Sequence, residues 1–161
     1  MDAEFKKEKS NIEEILQEIK RVFPGFEKEH SIQAVEIIVS IVKEHLENNG
    51  AGDDDRYIII KQKSKYKKIF LKDIVFAETA QRKIIIHTKD ENINYYGKMN
   101  ELEEILGDGF FRAHRAYIVN MEYVLSFDVE SVELSNGRAI LSKAKYPDFV
   151  KAIKKQAENG K

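Results

Sequence analysis

The 161-residue chain contains no cysteine and no tryptophan. Without cysteine there can be no disulfide, no thiolate zinc site and no cysteine nucleophile, and the chain suits a reducing compartment. No run approaches the ~20 apolar residues of a membrane span. The opening MDAEFKKEKSNIEE has no apolar signal-peptide core. A cytoplasmic protein with no membrane partner is therefore expected. Catalytic signatures are missing too: there is no HExxH, no His-x-His pair, no Gly-rich phosphate loop and no GxSxG. No set of residues reads as nucleophile, base and oxyanion hole. Neither an enzyme, nor a cofactor, nor a metal site is expected, and the question of a small-molecule ligand is left open. Internal repeats and low-complexity segments are also absent.

What is present begins with charge. Apolar residues make up 42% of the chain, enough for a core, and charged residues 34%, enough for a well-solvated surface. The net charge of −1 hides an asymmetry. Residues 1–55 carry 7 Lys+Arg against 14 Asp+Glu, whereas residues 56–161 carry 20 against 14. An acidic first part and a basic second part imply two units, the second suited to a polyanion.

The periodicity agrees with that division. In IEEILQEIKRVF (12–23), Ile12, Ile15, Leu16, Ile19, Val22 and Phe23 follow helical spacing. Ser10 and Glu13 suit a capping box, and Pro24-Gly25 stops the helix. A second helix is predicted from about Ile32 to Glu47, with Ser31 as its N-cap. Its seam of Ile32, Val35, Val39, Val42 and Leu46 is widened by Ile37, Ile38 and Ile41. A two-helix hairpin cannot bury all of this alone. A homodimer through these helices is one expectation. Packing of the hairpin on its own β domain, or capping of a different protein, are the others.

NNGAGDDD (48–55) reads as a linker, and its three aspartates as a solvated run rather than a metal or phospho-acceptor cluster. The divisions are thus a hairpin at 1–49, a linker at 50–55 and a second domain at 56–161. In the second domain the period becomes strand-like. Strands are predicted at 57–62, 67–71, 75–79, 83–89 and 93–97, then a short helix at 99–106 capped by Gly107. The carboxylates of ELEE (101–104) read as its wet side. Strands follow through 110–120, 123–129, 131–134 and 138–141, with Ser135-Asn136-Gly137 as a hairpin turn. A basic helix, DFVKAIKK, follows Pro147. The fold class is α+β: a helical hairpin followed by a mostly antiparallel-β domain with short helices.

Basic residues gather where these strands end. Five lysines surround the KSKY turn, where they also protect an edge strand against aggregation. Others lie at Arg82 and Lys83, at Arg112 and Arg115, and at Lys143 and Lys145. Loops on a rigid β frame commonly carry recognition residues, and Lys and Arg neutralise phosphates. The stretch FFRAHRAYIVN (110–120) stands out because cations interrupt a strand-like run. If Phe111, Ala113, Tyr117 and Val119 point inward, Arg112 and His114 point out together. Asn120 suits a bond to loop backbone. His114 suits either that role or an outward one. Arg115, a long cation at a strand break, is the least comfortable as an interior residue.

FFRAHRAYIVNMEYV resembles the signature of the LytTR family of bacterial DNA-binding domains, a pattern close to FFR-x-HRSYIVN. The likeness extends upstream through DIVFAETAQRKIIIHTKDENINYYGKMNELEEIL and downstream through VELSNGRAILSKAKY, over roughly residues 57–155. It implies small antiparallel sheets whose loops enter successive major grooves of a promoter. It also implies contacts with double-stranded DNA at Arg82 and Lys83, at Arg115, and after RAIL. There the family commonly has Ser-Arg-Arg-Tyr, and this chain has Ser142-Lys143-Ala144-Lys145-Tyr146. Lys143 and Lys145 flank the Ala144 position that often carries an arginine. With Arg112 and His114 these form the candidate DNA-binding set. Such domains often follow a phosphorylated receiver domain, but 55 residues are too few for one, so this chain is response-regulator-like only in its second part. The competing reading is a protein-interaction module that uses the helices and only retains the β scaffold.

Overall fold

The computed structural model describes residues 13–26, 31–48 and 56–159. Ser10 of the expected capping box and the 50–55 linker lie outside the described residues. Helix α1 occupies residues 13–22 and ends at Pro24-Gly25, where Gly25 takes a φ of 82°. Helix α2 spans Ile32–Asn48. Ser31 caps it, accepting at Oγ from the Ala34 N–H at 3.4 Å.

Among the described residues, ten strands follow in three antiparallel sheets. β1 (Tyr57–Gln62) and β2 (Lys65–Phe70) form a two-stranded hairpin. Its turn is shorter than KSKY: Lys65 already pairs with Gln62, and Lys63 absorbs the bend with a φ of 56°. β3 (Ile74–Ala80), β4 (Lys83–Thr88), β5 (Asn92–Tyr96), β6 (Phe110–His114) and β7 (Tyr117–Asn120) form a five-stranded sheet in the order β5-β4-β3-β7-β6. β8 (Val124–Phe127), β9 (Ser131–Leu134) and β10 (Gly137–Ile140) form the third. Helix α3 (Met99–Leu106) stands between β5 and β6, and α4 (Tyr146–Asn159) follows β10. Two short 3-10 turns, Leu71–Asp73 and Met121–Tyr123, lead into β3 and β8.

These elements bury three apolar clusters. One lies between the five-stranded sheet (Ala77, Ile84, Ile86, Ile118), β1–β2 (Ile58, Ile60, Ile69) and α3 (Met99, Leu102, Leu106). The second lies on the opposite face, where Phe76 and Val119 meet Val132, Ala139 and Phe149 of α4. The third joins Ile19, Val22, Phe23, Ile38 and Val42 of the helices to Tyr57 and Ile59 of β1. β1 is therefore buried on both faces, which is why YIII is a continuous apolar run rather than an alternating one. Of the alternatives for the helical hairpin, packing on its own β domain accounts for Ile38 and Val42. Ile32 (78% exposed) and Ile37 (41%) remain outside. Among the described residues no helix is long and apolar enough to cross a membrane.

The stretch 110–120 is two strands, not one. β6 and β7 pair antiparallel around Arg115-Ala116, with an irregular register between Arg112 and His114. Phe111, Ala113, Tyr117 and Val119 share the second cluster, as their alternation requires. Asn120 is buried and ties backbone together: its Nδ2 donates to the Ile74 carbonyl at 2.8 Å, and its Oδ1 accepts from the Glu122 N–H at 3.0 Å.

Candidate nucleic-acid interface

Strand pairing brings separate basic segments to one end of the five-stranded sheet. β3 ends at Ala80, opposite Lys83 of β4, so Gln81 and Arg82 form the connecting turn. Gln81 takes a φ of 60° to close it. Because β3 and β7 are antiparallel, with Glu78 opposite Tyr117, the β6–β7 turn emerges at the same end. The Thr79 N–H donates to the Ala116 carbonyl at 2.9 Å and locks the two turns together. A third segment joins them: the Ser142 N–H donates to the Ala113 carbonyl of β6 at 2.9 Å. Ser142 also starts the following turn, its carbonyl accepting from the Lys145 N–H at 3.0 Å and its Oγ at 3.2 Å.

The seven candidate residues divide into two groups. Arg82, Lys83, Arg115, Lys143 and Lys145 are exposed. Lys83 places its Nζ 5.2 Å from the ring centre of Tyr96, itself 75% exposed. Arg112 and His114 are partly buried and engaged. The expectation that they point out together fails for Arg112: it leaves the face of Phe111 and Ala113 as alternation requires, but the other face of the sheet is covered by α3 rather than by solvent. Its Nε donates to the His114 carbonyl at 2.9 Å and its Nη2 to the Arg115 carbonyl at 2.6 Å. Its Nη1 donates to Asn100 Oδ1 at 3.0 Å and to Glu103 Oε1 at 2.9 Å. His114 accepts at Nδ1 from the Ala116 N–H at 3.1 Å, which leaves Nε2 to carry the proton of the neutral ring. Beside it, burial and then the Glu78 carboxylate push the Tyr117 phenol above its ordinary pKa and keep it neutral.

Between the first two turns lies an open concavity of about 370 Å³, lined in part by Gln81, Arg82, Lys98, Asn100, Arg112 and Arg115. Lys98 was not marked by its place in the sequence. It stands at the N-cap of α3, and only the β4–β5 register, Lys83 opposite Tyr96, brings it to this end of the sheet. Tyr96 was hidden for the same reason. Five exposed cations on three tied loops, beside an exposed aromatic, suit a phosphate backbone and flat bases.

The family described as the LytTr DNA-binding domain matches residues 64–154, more than half of the chain. The chain belongs to this family. A solved LytTr DNA-binding domain from Bacillus cereus has the same fold, with a TM-score of 0.53 at 19% identity, over 60% of this chain and 95% of that one. The transcriptional regulatory protein NatR of Bacillus subtilis (strain 168) is 33% identical over 100 residues, 54% of this chain and 43% of NatR. Accessory gene regulator protein A of Staphylococcus aureus (strain N315) is 38% identical over 58 residues, 35% of this chain and 24% of that protein. The LytTR chain thus spans less than half the length of the curated relatives it matches.

Proposed function

We propose that this LytTR protein is a cytoplasmic bacterial transcription regulator that reads promoter DNA with the end of its five-stranded sheet. The observation that carries this is the convergence of Arg82 and Lys83, Arg115, and Lys143 and Lys145 on three loops tied by backbone hydrogen bonds. Family membership supports it over a scaffold that no longer binds DNA, and the regulatory names of NatR and accessory gene regulator A fit it. Arg115 reads a base or clamps a phosphate, because a guanidinium matches both. Lys143 and Lys145 contact phosphates, because an ammonium lacks the planar fork for bidentate reading. The regulator acts as a homodimer through its helices. Exposed Leu16, Ile32 and Ile37 support that contact, and a dimer gains effective concentration on paired half-sites.

The test is selection of a duplex by the full chain from a random-sequence pool, followed by titration against salt. Specific binding whose affinity falls with salt, at a slope of about −0.9 per neutralised phosphate, is expected. Arg115→Ala should cost ~1–3 kcal/mol on the selected duplex at fixed salt. Equal affinity for selected and unrelated duplexes would refute the reading.

A further inference from the structure

Arg112 lies in the interface, yet its chemistry is turned inward. A guanidinium has five N–H donors. Four of Arg112's are spent within the protein: two on the carbonyls of His114 and Arg115, two on Asn100 and Glu103 of α3. Only 16% of its side chain is exposed. The two carbonyls lie at the β6–β7 turn. Planar and multidentate, the guanidinium fixes both relative to a helix that is itself anchored in the core by Met99, Leu102 and Leu106.

We propose that Arg112 is a positioning residue rather than a DNA contact. Braced on α3 by Asn100 and Glu103, it holds the backbone of Arg115 and so aims the Arg115 side chain at the duplex. This rests on the DNA-binding reading above and deepens it. It gives Glu103 a role opposite to the one its charge predicts. A half-exposed carboxylate beside a polyanion repels it, so its removal should strengthen binding if charge alone matters. If Glu103 braces Arg112, its removal weakens specific binding instead.

The experiment uses the full chain, the duplex it selects from a random-sequence pool, and an unrelated duplex of equal length. Circular dichroism and thermal melts compare the folding of each variant. Glu103→Ala and Asn100→Ala, both on the outer side of α3, are expected to weaken binding to the selected duplex by about fivefold or more, within the range of a lost base contact. Binding to the unrelated duplex should not weaken. Glu103→Gln, which keeps an acceptor, should recover most of the loss, whereas Arg112→Lys should not, because one ammonium cannot span four acceptors. In an Arg115→Ala background, Glu103→Ala should cost little more, since it acts through the side chain already removed. Unchanged or tighter specific binding by Glu103→Ala, or losses that add to those of Arg115→Ala, would overturn the positioning role. A wild-type chain that enriches no duplex would overturn the DNA-binding reading, and this role with it.

Discussion

Gly137→Ala should destabilise the domain through a contact with β3, seven strands earlier in the chain. An ideal Cβ on Gly137 would lie 2.8 Å from both Cε1 and Cζ of Phe76, inside any tolerated carbon–carbon distance. The backbone itself would accept alanine, because Gly137 is not among the positive-φ residues, so only space is at issue. The ring has little room to retreat. Phe76 is buried and stacks on His87 with centroids 4.1 Å apart and planes within 12°. His87 in turn lies 2.8 Å from Asn92 Oδ1 and 3.2 Å from Glu78 Oε2. Overpacking of this kind costs ~1–3 kcal/mol, and the lower unfolded-state entropy of alanine returns ~0.4–1 kcal/mol. A net loss of ~0.5–2 kcal/mol is expected, a fall of a few degrees in Tm. Urea melts at constant slope measure it. Phe76→Leu, which removes the two clashing ring atoms, should cost less in the Gly137→Ala background than in the wild type. Stability equal to or above wild type for Gly137→Ala would refute the argument.

Tyr95→Phe should be neutral or stabilising by up to ~2 kcal/mol, because the buried Tyr95 hydroxyl has no hydrogen-bond partner among the described residues; a clear drop in Tm would reveal a hidden partner. Burial also holds that phenol well above its ordinary pKa. Asp128 accepts from the Glu130 and Ser131 N–H groups, which hold its pKa below the ordinary 3.8. Its contribution to stability is therefore complete above that value and is lost as pH falls through the depressed one. Asp128→Ala should flatten this acid limb in urea melts, and an unchanged limb would remove the assignment. Lys143→Ala and Lys145→Ala should each weaken all duplexes about equally and lower the salt slope by ~1; a loss confined to one base pair would show that the loop reads sequence. A chain starting at Asp55 uncovers Tyr57 and Ile59, each worth ~1.5–3 kcal/mol when fully buried, and should melt earlier than the full chain. Sedimentation of the pair tests the dimer: a monomeric full chain at tens of micromolar, or a dimer that survives the truncation, would exclude a helix-mediated one.

Local signals carried much of the fold. The 3.6-residue spacing of Met99, Leu102, Ile105 and Leu106, closed by Gly107, placed α3 at 99–106, where it lies. SVEL is strand β9. The hairpin at Ser135-Asn136-Gly137 exists, yet Gly137 is required by Phe76 rather than by a left-handed turn, and Asn136 donates through Nδ2 to the Thr88 carbonyl at 2.9 Å. Both reasons lie roughly fifty residues or more upstream, where no local pattern reaches. ELEE read as a wet face, and Glu104 is exposed as expected, but Glu103 serves Arg112. Period-2 alternation placed Phe111, Ala113, Tyr117 and Val119 correctly. It also put Arg112 on the opposite face, but that face is covered by α3 rather than by solvent, which no pattern within 110–120 reveals.

Arg112 and Arg115 are the same residue three positions apart, and their surroundings give them opposite uses. Arg112 has a helix behind it whose carboxylate and amide accept its protons, so its charge is consumed where it stands. Arg115 follows the last paired residue of β6, contributes only its carbonyl to that network, and leaves its side chain exposed. Both carry the same guanidinium, so side-chain chemistry alone cannot separate the two roles. What separates them is the supply of acceptors within reach, set by the packing of α3 against β6. That is how a run rich in core aromatics can contain two arginines: one stays with the fold and fixes the turn, and the other projects from it.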